Sequence, residues 1–280
     1  MKDSLLSEKE KKEILKMISV KKYPEIIFIL DKHSTAHAGT AKTKDKRFVI
    51  TEITKFINKN SKNPVKDFYT TGKKFLSVKS DNAKEIGIAL LRRGYKQNPA
   101  DVKKWLCKIA DDKNWEVRES AGGAFAGVLN ANPELYDYMC KLCKHKSENV
   151  RRAVLFSAHG LIDEEKNLTK ALKLIEKLLT DSSVYVKKNL GPFILGSYFA
   201  NRYPQKVQKQ ILKWTKKKDE HLRWNLAMTY KNSFGNKYPE YALQTLLLLN
   251  SDLRPVVQRA VKSTINFLSK RHPEKVKKLK

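Results

Sequence analysis

Residues 114–129, NWEVRESAGGAFAGVL, decide the fold. Counting from Val117, apolar or small side chains return at Ser120, Ala121, Ala124, Phe125, Val128 and Leu129. That is the three-four spacing of one buried face on an amphipathic helix. Trp115, Arg118 and Glu119 fall off that face, and Asp112 stands five residues before Val117, where a turn or cap ends the preceding loop.

The arrangement returns downstream. Val150 is followed by Arg151, Arg152, Ala153 and Val154; Val186 by Lys187, Lys188, Asn189 and Leu190; Leu222 by Arg223, Trp224, Asn225 and Leu226; Val257 by Gln258, Arg259, Ala260 and Val261. The starts at 117, 150, 186, 222 and 257 lie 33, 36, 36 and 35 residues apart. Asp81, Asp112, Asp181 and Asp252 each precede a start by five residues, so a degenerate first copy begins near residue 80. A period in the thirties with two helices per unit signals an α-solenoid, because one helix pair cannot bury its apolar face without neighbours. The fold expected is therefore all-α, a curved stack of HEAT-like repeats over residues 79–280, preceded by an N-terminal helical segment over 1–78.

Composition narrows the partner. The 280 residues carry 58 Lys and Arg against 29 Asp and Glu, a formal charge of +29. Such an excess calls for a polyanion, nucleic acid before an anionic membrane. No apolar run approaches the ~18 residues of a spanning helix and no signal-peptide pattern opens the chain, so a soluble cytoplasmic monomer is expected, nucleoid-associated if bacterial. The three cysteines, at 107, 140 and 143, point to a reducing compartment. Cys140 and Cys143 form a CxxC inside a helical pattern, but no second pair completes a zinc set, and no metal or organic cofactor is expected.

Along the N-terminal segment, Ser7 with Glu10 resembles a capping box, and Pro24 suits a first helical turn. Residues 33–47, HSTAHAGTAKTKDKR, lack an apolar period and read as a mobile basic loop. Helices are expected over FVITEITKFI and, after Pro64, over VKDFYTTGKKFL. Pro99, Pro133, Pro204 and Pro239 stand where second helices of the repeats begin, and the C-terminal KRHPEKVKKLK is expected to fray.

Because the repeats are in register, the two places after each start point the same way from every unit. The first place reads Arg118, Arg151, Lys187, Arg223 and Gln258, and the second Glu119, Arg152, Lys188, Trp224 and Arg259. Stacked, they form a cationic stripe, expected on a concave surface and suited to tracking phosphates. A solvated face that only keeps the chain soluble is the alternative. Trp115 and Trp224 fall beside this register, where aromatic faces can hold a sugar or base by stacking.

The stretches DDKNWEVRESAGGAF, SENVRRAVLF and DSSVYVKKNLGPFILGSYFANRYP resemble the HEAT-like alkylpurine DNA glycosylases of the AlkC and AlkD superfamily, over roughly 80–235. The resemblance implies that double-stranded DNA is the partner and that cationic N3- or N7-alkylated purines are excised without a metal. It implies that Trp115 and Glu119 match the family's aromatic residue and the catalytic carboxylate four places on, and that Arg152 matches its phosphate-binding arginine. Glu stands where the AlkD type has Asp, Pro192 and Phe193 stand where it has a second tryptophan, and the N-terminal third shows none of its usual sequence. Two other readings stay open: a structure-selective DNA or RNA binder without chemistry, and a HEAT-repeat adaptor for proteins.

Overall fold

A computed structural model describes residues 4–162 and 164–277. Every regular element among them is helical. The chain forms two compact units, residues 1–135 and 136–280.

The first unit holds α1 (Glu8–Ser19), α2 (Tyr23–Lys32), α3 (Thr43–Asn60), α4 (Pro64–Ser77), α5 (Asp81–Leu91), α6 (Pro99–Ala110) and α7 (Trp115–Ala131), with a 3₁₀ turn at Arg92–Gln97. The capping box at Ser7 and Glu10 forms in full, and Pro24 sits in the first turn of α2. One core runs through the N-terminal helices into α5, from Leu6, Ile14 and Ile18 through Ile26, Leu30, Val49 and Ile53 to Phe75, Ile86 and Leu90. The 3.6-residue period places these side chains on one face of each helix, and burying each aliphatic one contributes about 1.5–3 kcal/mol.

Residues 33–42 differ from the expectation of a mobile loop ending at 47. They form a strap of turns, and α3 already begins at Thr43. Thr35 N donates to Thr40 O and Gly39 N to Thr35 O, each over 2.9 Å, with Gly39 at φ +68°, a left-handed conformation that glycine adopts without a Cβ clash. Side chains from other helices hold the strap: Ala41 N donates to Asn82 Oδ1 over 2.8 Å, and Asn114 Nδ2 donates to Ala38 O over 2.9 Å. Local composition without an apolar period could not show these partners, which are tens of residues away.

The second unit holds α8 (Tyr136–Leu142), α9 (Glu148–Leu161), α10 (Leu168–Glu176), α11 (Val184–Asn189), a π-helix (Leu190–Ala200), α12 (Pro204–Trp214), α13 (Glu220–Met228), α14 (Ser233–Lys237), α15 (Pro239–Asn250), α16 (Pro255–Ser269) and α17 (Pro273–Val276). Here α9 packs on α11, the π-helix on α13, and α13 on α16, each with second helices behind them. The fold class is the all-α solenoid of helical repeats.

All five repeat starts are 1% exposed or less. The preceding aspartates have a shared role: Asp112, Asp181 and Asp252 accept from the backbone N of Asn114, Ser183 and Arg254 at 2.9–3.0 Å. Each folds an Asx turn that delivers the chain to the first helical residue. Pro99, Pro204 and Pro239 open α6, α12 and α15, where no N–H is needed. Pro133 instead opens a 3₁₀ turn.

The helix expected over 183–202 divides at Leu190. Pro192 lacks a backbone N–H, so α-winding cannot continue through it, and residues 190–200 widen into π geometry. The C-terminal segment is anchored as far as described: His272 Nε2 lies 2.9 Å from Asn236 O, Lys275 pairs with Glu240, and residues 278–280 lie outside the described residues.

Candidate functional site

The first unit contains an open cleft of about 570 Å³ between α3, α5 and α7. Helix α7 supplies its floor. Asn114 caps the helix by accepting from Glu116 N over 3.0 Å, which fixes the first turn. From there Trp115, Glu119 and Gly123 follow at four-residue intervals along one row, with Glu116, Ser120 and Ala124 beside them, all lining the cleft. Trp115 is 41% exposed, with its ring edge against the His37 imidazole of the strap, 5.3 Å between centroids.

Beneath this row lies a charged cluster that the sequence did not reveal. Lys46 of α3 is buried, with Nζ 2.6 Å from Glu85 Oε1, 3.1 Å from Glu116 Oε1 and 3.0 Å from Thr40 Oγ1. Thr40 Oγ1 donates to Glu116 Oε2 over 2.6 Å, and Ser120 Oγ donates to Glu85 Oε2 over 2.7 Å. Burial pushes the Glu85 carboxyl up from its ordinary value, against the pull of Lys46. One ammonium therefore holds two carboxylates in a wall that faces the cleft, and with Glu119 that end of the cleft is acidic. The opposite end is basic, lined by Arg92 and Arg93. No periodicity marks these residues, because their role depends on which helices meet.

In the second unit the register residues divide by what they touch. Arg151 donates to the His145 and Lys146 carbonyls and pairs with Asp181 at 2.6 Å, which raises its pKa. Arg223 donates to Leu248 O over 3.0 Å and pairs with Asp252 at 3.1 Å. Arg118, in the first unit, likewise donates to the Asp112 and Lys113 carbonyls. These three guanidiniums bind loop carbonyls. Arg152 is buried with its guanidinium 4.7 Å from the ring centroids of both Phe156 and Tyr185. Lys187 is buried over the Trp224 ring at 4.7 Å, near His221, and burial lowers its pKa. Lys188 and Arg259 are exposed.

Beside Arg152 the π-helix and α9 carry an aromatic patch. Phe156 meets Phe193 at 6.4 Å, Phe193 meets Tyr198 at 4.9 Å, and Tyr198 meets His159 at 4.4 Å. Phe193 and Tyr198 are 40% and 39% exposed. Cys143 is buried, donating toward Met139 O at 3.5 Å, and burial pushes its thiol up to about 12. Among the described residues no cluster of three or more His, Cys, Asp or Glu is arranged to hold a metal, and no helix is long and apolar enough to cross a membrane.

Among solved structures, a designed armadillo repeat protein in complex with the peptide (KR)4 is 14% identical, with a TM-score of 0.35, covering 94% of this chain and 100% of that one. A second designed armadillo repeat protein is 15% identical, with a TM-score of 0.30, covering 91% and 98%. No curated relative matches the chain. Residues 46–194, which include the cleft's α3, α5 and α7 residues and the Arg152 surroundings, match the family described as DNA alkylation repair enzyme, and the chain, more than half of it covered, belongs to that family.

Proposed function

We propose that the protein binds double-stranded DNA and excises cationic N3- or N7-alkylated purines by hydrolysis of the N-glycosidic bond. The observation that carries this reading is the row Trp115–Glu119 on α7, an exposed indole and a carboxylate one helical turn apart in a single open cleft. Family membership supports a DNA repair substrate.

An N3- or N7-alkylpurine is a good leaving group because it carries a positive charge. As the C1′–N bond breaks, its electron pair neutralises the departing base and leaves positive charge on the deoxyribose. Glu119 stabilises that sugar cation electrostatically and orients a water, whose oxygen bonds to C1′ while its proton passes to the carboxylate or solvent. Trp115 lies against the sugar. The exposed cations Lys188 and Arg259 of the second unit contact phosphates, with Arg152 and Trp224 shaping the surface beside them.

The test is incubation with methylated DNA followed by chromatography of released bases. Release of 3- or 7-methylpurine is expected, and Glu119→Gln should lower its rate by roughly two to three orders of magnitude while duplex affinity holds. Duplex binding with no base release by the parent protein would replace this reading with that of a non-catalytic binder.

A further inference from the structure

Arg92 and Arg93 open the 3₁₀ turn that follows α5 and line the basic end of the cleft. Arg92 reaches across to α7, where its Nη1 donates to Gly123 O over 2.8 Å; Arg93 Nη1 donates to Ala89 O over 2.6 Å on its own helix. Among the described residues neither guanidinium has a carboxylate partner; burial lowers both pKa values, and Arg93 adds to the effect on Arg92. Two adjacent, partly desolvated cations without a counter-charge are costly in the empty protein and favourable once an anion arrives.

Gly127 explains how Arg92 fits. A Cβ at that position would stand 2.9 Å from Arg92 Cζ, so the bare backbone of α7 is what leaves room for the guanidinium plane. Glycine inside a helix costs about 1 kcal/mol relative to alanine, and here the missing side chain has a use. Gly123, which receives the hydrogen bond, lies four residues beyond Glu119, roughly 6 Å along the helix axis.

We propose that Arg92 and Arg93 seat one backbone phosphate of the strand whose sugar lies at Glu119, one or two nucleotides from that sugar, with Gly127 as the positioning residue. The inference rests on the proposed function. A DNA strand advances ~3.4 Å per nucleotide, so a separation of roughly 6 Å selects a near neighbour. The planar guanidinium fork suits a phosphate, which it can grip through two parallel N–H donors.

The experiment uses duplexes carrying one alkylpurine, in which flanking phosphates are replaced singly by neutral methylphosphonates. For the parent protein, one replacement within two nucleotides of the lesion should weaken binding by about tenfold. The same replacement should have no effect on Arg92→Ala/Arg93→Ala, whose log–log salt slope should be lower by about 1. Gly127→Ala keeps both charges but displaces the guanidinium; it should show the same insensitivity with an equal or higher melting temperature. A parent that is sensitive at no position within two nucleotides, or an arginine double variant as sensitive as the parent, overturns the seat. If base release persists in that case, the excision reading survives; a parent that does not bind duplex overturns both.

Discussion

Lys46 and Glu85 form an ion pair, 2.6 Å between Nζ and Oε1, with both side chains almost wholly shielded from water. The pair ties α3 to α5, and through Glu116 to α7, so it sets the walls of the cleft. Removing one member of a buried pair leaves the other charge unsatisfied. Lys46→Met should therefore destabilise the protein by about 3–5 kcal/mol in urea titrations, and adding Glu85→Gln should recover much of that loss. Equal stability of Lys46→Met and parent would show that the cluster does not bind the helices together.

The division among register residues makes a distinct prediction for DNA affinity. Lys188→Ala with Arg259→Ala should reduce the log–log salt slope of duplex binding by about 2, one for each phosphate that no longer meets a cation. Arg223→Ala should leave the slope unchanged while lowering the melting temperature, because that guanidinium serves Asp252 and the Leu248 carbonyl. A slope that responds to Arg223 and ignores the other two would invert the assignment.

Asp252 gives a pH signature. Arg254, assisted by Arg223, holds its carboxyl at about 2, below the ~3.9 of an unfolded aspartate. A depressed carboxylate pKa means that its stabilisation is present above the unfolded value and disappears as pH falls through the folded one. Asp252→Asn keeps the Asx-turn acceptor but removes the charge. The variant should be less stable than the parent by about 2 kcal/mol at pH 7, with the gap closing between pH 5 and pH 2. A gap of constant size across that range would refute the electrostatic origin.

Asn114 combines two tasks, capping α7 and holding the strap through Ala38 O and Asp81 Oδ2. Asn114→Ala should cost about 1 kcal/mol or somewhat more. It should also shift Trp115 emission to the red, as His37 no longer stays against the indole edge. Asn114→Asp, which retains the cap acceptor but not the donor to Ala38, should show the emission change with a smaller loss of stability.

The helices were legible where one face repeats every three to four residues: all five starts are buried, and α6 and α7 begin where Asn98–Pro99 and Asn114–Trp115 announce them. Trp115 and Glu119 were legible as a pair because four residues on a helix make neighbours. The strap was not, since its order comes from Asn82 and Asn114, far away in sequence. Nor were Lys46, Glu85, Arg92 and Arg93, which read as ordinary charged positions until α3, α5 and α7 bring them to one cleft. Arg118, Arg151 and Arg223 share the spacing of the exposed cations, but the loops they brace are invisible to a periodic reading.

The π-helix carries a consequence for insertions and deletions. Phe193 and Tyr198 are five residues apart and meet edge to face because i→i+5 winding brings them above one another; in an α-helix they would diverge by about 140°. Taking a single residue out of 194–197 would leave them four apart and let α-winding resume there, yet would turn everything downstream by about 100° relative to α13. Chain length within this one segment, more than the identity of any residue in it, governs which side chains the helix offers to solvent, so a family member differing here by one codon would present a different surface on the same scaffold.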